Sequence, residues 1–382
     1  MAYEINPEYP DISFLRDKAA KRIPRFALEY LEGGCNNEVN LKRNTDEIRQ
    51  TQLKPYYLRG NQDISLKTSF LGKEYDAPFG ISPIGLQGLM WPGATEILAK
   101  AAFNNNIPFI LSTVGTASLE TVAEITEGNA WFQLYHPAEE SLRDDILKRM
   151  EAAGYETLVI LCDVPSFGYR AREIRNGLSI PPKITVRNMV QIMSRPNWAL
   201  STLFHGQPEF KTLKPYIPKG MSLKHLGLFM NKTFHGKLST DRVKAIRDKW
   251  KGKIVLKGAA TVEDTQYAID LGLDGVLVSN HGGRQLDHGQ SAVGALKEIA
   301  EQCKGKIALA MDSGVRTGPD IASTIANGAE FAFLGRSFMY GVAAMGKNGG
   351  EQVIALLRRQ LQQVMEQLCC ESVDKLQNHL VK

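Results

Sequence analysis

Short apolar runs alternate with amphipathic stretches along most of this chain. From residue 79 onward the runs fall near Phe79–Ser82, Phe109–Ser112, Trp131–Tyr135, Thr157–Asp163, Ile254–Lys257, Val276–Ser279, Ile307–Asp312 and Phe331–Gly335. They are too short for helices and rich in β-branched and aromatic residues, so they read as strands apolar on both faces. Helical patterns separate them, which predicts parallel βα units. Eight such units point to an α/β fold, a (β/α)8 TIM barrel; a doubly wound open sheet is the alternative. The strand count, and polar residues gathered at strand C-terminal ends, favour the barrel. Most strand spacings are roughly 20 to 30 residues, as one βα unit requires. The gap between the fourth and fifth strands is far longer. Residues 164–238 are therefore predicted as an insertion into a single domain spanning 1–382. At the N-terminus, residues 11–32 are predicted to be helical, with Phe14, Leu15, Ile23, Phe26, Ala27, Tyr30 and Leu31 as apolar positions and Gly33-Gly34 as a C-cap. From Gln352, the positions Val353, Leu356, Leu357, Leu361 and Val364 predict an amphipathic helix on the barrel flank.

The strand ends carry the candidate chemistry. The run Gly275–Val278 empties into Ser279-Asn280-His281-Gly282-Gly283-Arg284-Gln285-Leu286-Asp287. A histidine is a proton acceptor near neutral pH, and an arginine is a planar fork for a carboxylate. Two glycines between them allow a sharp turn and close approach of a flat ligand. Taken alone, the histidine could equally be a satisfied residue at a strand exit. Asp163 closes the apolar run Leu158–Cys162 and is costly to bury without a partner, unless it is a structural cap. Gln133 and Tyr135 share one strand face, either at the mouth of the barrel or in a polar layer closing it. Lys257 ends its strand as a charge held for a ligand or as a snorkelling surface lysine. The seventh and eighth strands end in Asp312-Ser313-Gly314-Val315-Arg316 and Gly335-Arg336. Barrels often bind phosphate at these two loops.

Composition narrows the class. Of 382 residues, 43% are hydrophobic and 23% charged, as in a soluble globular protein. The net charge of +5 does not argue for nucleic acid, and no zinc-finger spacing or dense basic arm is present. Met1–Pro10 does not read as a secretory signal, and no run reaches transmembrane length. Five scattered cysteines fit unpaired thiols in a reducing cytoplasm, with Cys162 a small core residue, and no metal site is expected.

The string Ser279–Asp287, together with Pro24–Gly34 and Ser82–Gly85, resembles the FMN-dependent α-hydroxy acid dehydrogenase and oxidase family. The resemblance runs from about Phe14 to about residue 375 and is weakest in the insertion. It implies FMN as cofactor and oxidation of an L-2-hydroxy acid, of lactate or mandelate type, to the 2-oxo acid. By this resemblance His281 is the base and Asp163 its partner; Arg284, Tyr30 and Arg170 bind the substrate carboxylate, and Tyr135 bonds the hydroxyl. The flavin contacts it implies are Pro83, Ile84, Gly85, Ser112, Gln133, Lys257, Ser279, Asp312, Ser313, Gly314, Arg316, Gly335 and Arg336. The chain departs from the family's oxidases in places. Val114 stands where glycolate oxidase has a tryptophan, and Leu161 stands where many members have a flavin-contacting threonine. Gly85 resembles several of the family's dehydrogenases, and Ser313 resembles the membrane-associated ones.

The insertion mixes apolar residues (Met189, Val190, Ile192, Met193, Trp198, Leu200, Leu203, Phe204, Leu223, Leu226, Leu228, Phe229, Met230, Phe234) with Arg195 and several lysines. That mixture suits an anionic bilayer surface. A lid on the barrel mouth or a contact with a neighbouring subunit is the alternative. Ser194–Leu200 resembles the membrane-associated lactate and mandelate dehydrogenases. The expectation is therefore a cytoplasmic protein held peripherally on the cytoplasmic face of the inner membrane, passing electrons to a quinone or other membrane carrier. The resemblance also implies a homo-oligomer, a tetramer. Three rivals stand beside this reading: an oxidase using O2 and making hydrogen peroxide, another FMN barrel enzyme such as an isomerase, and a non-catalytic flavin- or hydroxy-acid-binding module.

Overall fold

The computed structural model describes residues 3–59, 63–178, 185–218, 233–234 and 238–381. A two-stranded antiparallel hairpin comes first, β1 (Thr68–Phe70) and β2 (Lys73–Tyr75). Eight parallel strands follow: β3 (Phe79–Ile81), β4 (Ile110–Ser112), β5 (Trp131–Leu134), β6 (Thr157–Leu161), β7 (Lys253–Ala259), β8 (Gly275–Val278), β9 (Ala308–Met311) and β10 (Phe331–Leu334). Their order is β3-β10-β9-β8-β7-β6-β5-β4. A parallel bridge between Ile81 and Phe109 joins the two ends. The sheet is thus a (β/α)8 barrel and not an open doubly wound sheet. All eight strands lie within about two residues of the runs read from the sequence.

Strand alternation divides the interior into layers. On β5, Phe132 and Leu134 pack outward against the helices, while Trp131 points inward. The inward layer continues with Ile110, Val159, Val255, Leu277, Ala310, Phe331 and Phe333. Phe70 of the hairpin stacks on Phe331 and Trp131, and Tyr75 meets Phe331 edge-on, so the hairpin plugs the N-terminal end. Two residues further along the same strands, the inward positions become Gln133, Lys257, Ser279 and Asp312. One apolar layer thus seals the bottom, and the polar layer above it faces the mouth.

The N-terminal segment differs from the single helix expected over 11–32. It forms two helices, Ile12–Arg22 and Arg25–Glu32. Pro24 has no N–H to continue the first, and Ile23 before it is extended at φ −106°, ψ 154°. The second helix does end at Gly33, but not by a left-handed cap, since Gly33 sits at φ −65°, ψ 154°. What glycine provides here is space. A Cβ at Gly34 would lie 2.8 Å from the carbonyl oxygen of Gly283 in the active loop.

The insertion contributes short helices at Ala171–Arg175, Val186–Met193 and Pro196–His205. The expected apolar positions 223, 226, 228, 229 and 230 lie outside the described residues. The C-terminal helix, Gly349–Leu368, buries Val353, Leu356, Leu357 and Leu361 against the helices Gly318–Ala326 and Arg336–Met345, covering the barrel flank as expected.

Candidate active site

The loop after β8 turns through three successive left-handed residues, His281 (φ 59°), Gly282 (φ 68°) and Gly283 (φ 75°). Such a backbone is unfavourable for histidine and persists only when its surroundings hold it. Here the His281 N–H donates to Ser279 Oγ (3.1 Å), and Gly282 N–H to Ser313 Oγ (2.9 Å). Gly283 N–H donates to Asn280 Oδ1 (3.2 Å). The turn swings the imidazole back over the barrel mouth. Its Nδ1 lies 3.1 Å from Asp163 Oδ1, and its Nε2 lies 3.5 Å from the Tyr135 hydroxyl. A carboxylate at Nδ1 fixes the tautomer that carries its proton there and leaves the Nε2 lone pair toward the cavity. Burial lowers the His281 pKa below its ordinary value; Asp163 opposes this, and Lys257 and Arg170 add to it. The ring is therefore a neutral proton acceptor at neutral pH. Gly258, at φ 102°, makes room for the pair, because a Cβ there would sit 2.6 Å from the Asp163 side chain.

Beside this base lies a cluster of guanidinium and carboxylate groups. Arg284 Nη1 donates to the carbonyls of Tyr30 (2.7 Å) and Gly33 (3.1 Å). Its guanidinium lies over the Tyr30 ring, 5.0 Å from the centroid. Arg284 Nη2 forms an ion pair with Glu173, which also lies 3.5 Å from Arg170 Nη1. Arg170 Nη2 donates to Gln285 Oε1 (3.3 Å). Tyr30, Tyr135, Arg170 and Arg284 are thus brought together with His281, as the sequence suggested. Glu173 and Gln285 were not singled out; nothing in the local sequence separates Glu173 from a solvated acid on a short helix.

The polar layer below supplies a buried cation. Lys257, 3% exposed, is 2.9 Å from Asp312 Oδ2 and donates to Ser279 Oγ (2.7 Å). Burial pulls its pKa down, but Asp312 and Asp163 outweigh that and raise it, so the amine stays charged. Burial pushes the Asp312 carboxyl up, and Lys257 with the serine hydroxyls brings it below the ordinary range. Ser313 holds φ 74°, a conformation glycine would adopt freely. Its hydroxyl compensates by donating to Asp312 Oδ1 (2.8 Å) and accepting from Gly282. The second pair of cations lies toward β10. Arg336 donates to the carbonyls of Leu31 (2.9 Å), Gly33 (3.0 Å) and Gly282 (3.2 Å). Burial, together with the charges of Arg316 and Arg284, lowers its pKa to about 9.

His281, Tyr30, Tyr135, Arg170, Glu173, Arg284, Lys257, Asp312, Arg316 and Arg336 border one cavity of about 1130 Å³, with Asp163 behind the imidazole. Of the expected flavin contacts, Pro83, Ile84, Gly85, Ser112, Gln133, Lys257, Asp312, Ser313, Arg316, Gly335 and Arg336 line it. Ser279 does not; it stands behind Lys257. Gly314 does not either: at φ 96° it packs on the helix Val39–Arg49, where a Cβ would meet the Asn44 carbonyl at 2.7 Å. The residues present fit a flavin mononucleotide. Gln133 is 2% exposed and its Nε2 has no partner, an orphan donor at the wall of the cavity that Lys257 also lines. Arg316 and Arg336 repel each other, and both pKa values are depressed, chiefly by burial, so a phosphate between them would be held by two buried cations.

The cavity continues past Val114 into an apolar arm lined by Leu89, Met90, Trp198, Ala199, Leu203 and Phe210. Trp198 is buried and its indole N–H donates to the Met90 carbonyl (3.1 Å), fixing the helix Pro196–His205 on the barrel. The outer side of that helix is bare, with Leu203 76% and Phe204 84% exposed. Val186, Met189, Val190 and Met193 extend the same apolar exposure onto the preceding helix. Trp198 and Phe234, expected among the surface residues, are instead core. No described helix is long and apolar enough to cross a membrane.

Comparison with known proteins agrees with this geometry. A family model described as FMN-dependent dehydrogenase matches residues 19–382. An L-lactate dehydrogenase of Vibrio parahaemolyticus is 37% identical over 351 residues, covering 92% of each chain. An (S)-mandelate dehydrogenase of Pseudomonas putida is 36% identical over 356 residues, covering 93% of this chain and 89% of its own. Among solved structures, one described as the monotopic membrane protein (S)-mandelate dehydrogenase superposes with a TM-score of 0.92 at 33% identity. It covers 98% of this chain and 99% of the other. A mandelate oxidase gives 0.82 at 28% identity, covering 98% of each chain.

Proposed function

The chain belongs to the family of FMN-dependent dehydrogenases, and we propose that it oxidises an L-2-hydroxy acid, lactate or mandelate, to the 2-oxo acid and passes the electrons to a quinone or other lipid-soluble carrier. FMN is its cofactor. The observation that carries this reading is the constellation around His281. A neutral imidazole backed by Asp163 faces the cavity beside Tyr135, with the Arg284–Tyr30 pair at the same mouth.

In this reading Arg284, with Tyr30 and Arg170, grips the substrate carboxylate and orients the carbon that bears the hydroxyl. Tyr135, whose pKa burial raises, stays protonated and bonds the hydroxyl oxygen. His281 accepts a proton on Nε2, and Asp163 stabilises the imidazolium that forms. FMN, when bound, takes the two electrons. Lys257, kept charged by Asp312, offers it a fixed cation, and Gln133 an amide donor. Arg316 and Arg336 would hold its phosphate.

The acceptor follows from the second half of the cavity. The apolar arm at Trp198 and Leu203 opens toward the bare face of the insertion helices, which supports a carrier arriving from a lipid phase. The same face supports peripheral attachment to a membrane, which the proposal places on the cytoplasmic side. One domain with residues 164–238 inserted, assembled as a homo-tetramer, completes the proposal.

The test uses the full chain on anionic phospholipid vesicles containing ubiquinone, with L-lactate or (S)-mandelate. Rapid formation of the 2-oxo acid that depends on quinone, with slow peroxide production in air, is the expected result. Peroxide formed in air as fast as quinone is reduced would overturn the acceptor. No 2-oxo acid with either acceptor would overturn the substrate class.

A further inference from the structure

Among the described residues, Glu173 is the one carboxylate set between the two guanidiniums that flank the cavity mouth. Its side chain is 13% exposed and lies at the cavity wall. It pairs with Arg284 Nη2 and lies 3.5 Å from Arg170 Nη1. Two like charges this near one another, 13% and 17% exposed, repel in a medium that screens poorly. Burial lowers the Arg284 pKa, and the neighbouring Arg170 adds to that effect.

The donor inventory is informative. A guanidinium carries five N–H groups. The two on Arg284 Nη1 go to the carbonyls of Tyr30 and Gly33, and one on Nη2 goes to Glu173. Nε and one Nη2 hydrogen remain, as many donors as a bidentate carboxylate takes. Arg170 leaves its Nε buried without a partner. The contacts that lock these side chains therefore stop short of consuming the donors that a ligand would need.

We propose that Glu173 is a positioning residue that holds Arg284 and Arg170 together and sets their pocket to a single net positive charge, so that it is matched to one carboxylate. Two guanidiniums and one carboxylate leave one positive charge. A bound monocarboxylate neutralises it; a dicarboxylate overshoots and meets Glu173 with its surplus charge. The inference rests on the reading that Arg284 and Arg170 bind the substrate carboxylate.

The experiment titrates the FMN-loaded protein with oxalate (two negative charges) and with D-lactate (one), following the change in the flavin spectrum. Glu173→Gln keeps the shape and removes the charge; Glu173→Asp keeps the charge. With Glu173→Gln, affinity for oxalate relative to D-lactate should rise at least about tenfold, as a lost charge at close range in a poorly screened site implies. Glu173→Asp should leave the ratio near that of the unmodified protein. In steady state, Glu173→Gln should lower kcat without raising KM, because the extra positive charge offsets the poorer placement. If Glu173→Gln does not retain its flavin, Arg170→Met supplies the opposite change, and the ratio must then fall. An unchanged ratio in the charge-altering variant, with both anions bound, overturns the role of Glu173 alone. If neither anion perturbs the flavin of the unmodified protein, the carboxylate reading fails and this inference fails with it.

Discussion

Replacing Asp163 by asparagine isolates the electrostatic part of the site. Asp163 Oδ1 is 3.1 Å from His281 Nδ1, with the two side chains 9% and 18% exposed. At an effective dielectric of about 20, unit charges roughly 4 Å apart attract by about 4 kcal/mol. Fully expressed in the transition state, that is about three powers of ten in rate. Proton transfer is incomplete there, and asparagine keeps an oxygen that can accept from Nδ1. The expected loss is therefore about 100- to 1000-fold. The assay is stopped-flow reduction of the flavin under argon, from acid to mildly alkaline pH. His281 accepts a proton only in its neutral form, and burial lowers its pKa below the ordinary value. The rate of the unmodified protein should thus rise with pH and level off below the usual histidine range. Removing the carboxylate takes away a stabiliser of the imidazolium, so the acid limb should move to lower pH while the plateau drops. A variant as fast as the unmodified protein, or an acid limb displaced upward, would refute the coupling.

Other consequences are more local. Gly283→Ala forces a side chain at φ 75° with its Cβ 2.5 Å from the Leu41 backbone. It should cost at least about 3 kcal/mol in a denaturation series, through left-handed strain plus overlap. His136 is 5% exposed, and burial with Arg242 nearby lowers its pKa to about 4. Because the unfolded chain binds that proton first, stability should fall as pH drops from about 6.5 toward 4, by on the order of 3 kcal/mol. His136→Gln should flatten that dependence in urea midpoints read across the same pH range. Met193→Asp combined with Phe204→Asp alters two side chains that are 71% and 84% exposed. The double variant should leave anionic vesicles for the supernatant on sedimentation with its melting temperature unchanged.

The barrel was legible because its strands are buried on both faces, and eight short apolar runs stand out from the amphipathic helices between them. The polar ends of those runs located Gln133, Asp163, Lys257, His281 and Asp312 for the same reason: in a parallel barrel, position along the strand sets height above the core. The hairpin β1–β2 was not legible, since three-residue strands show no periodicity. The helix break lies at Pro24, where the apolar spacing on either side runs on as if one helix were continuous. Gly314 illustrates a different limit. A glycine in a phosphate-type loop suggests approach to a ligand, but here the neighbour that excludes a side chain is the Asn44 backbone. Glu173 escaped because its meaning depends on Arg284, 111 residues away in the chain.

The most direct test of the central claim is the flavin's visible absorbance under argon as L-lactate or (S)-mandelate is added, in the unmodified protein and in His281→Ala. Prompt bleaching by one of the acids in the unmodified protein, and its near-complete loss in the variant, is the predicted result. Bleaching that survives the loss of His281, or a flavin that neither acid reduces, would contradict the assignment of this cavity to 2-hydroxy acid oxidation.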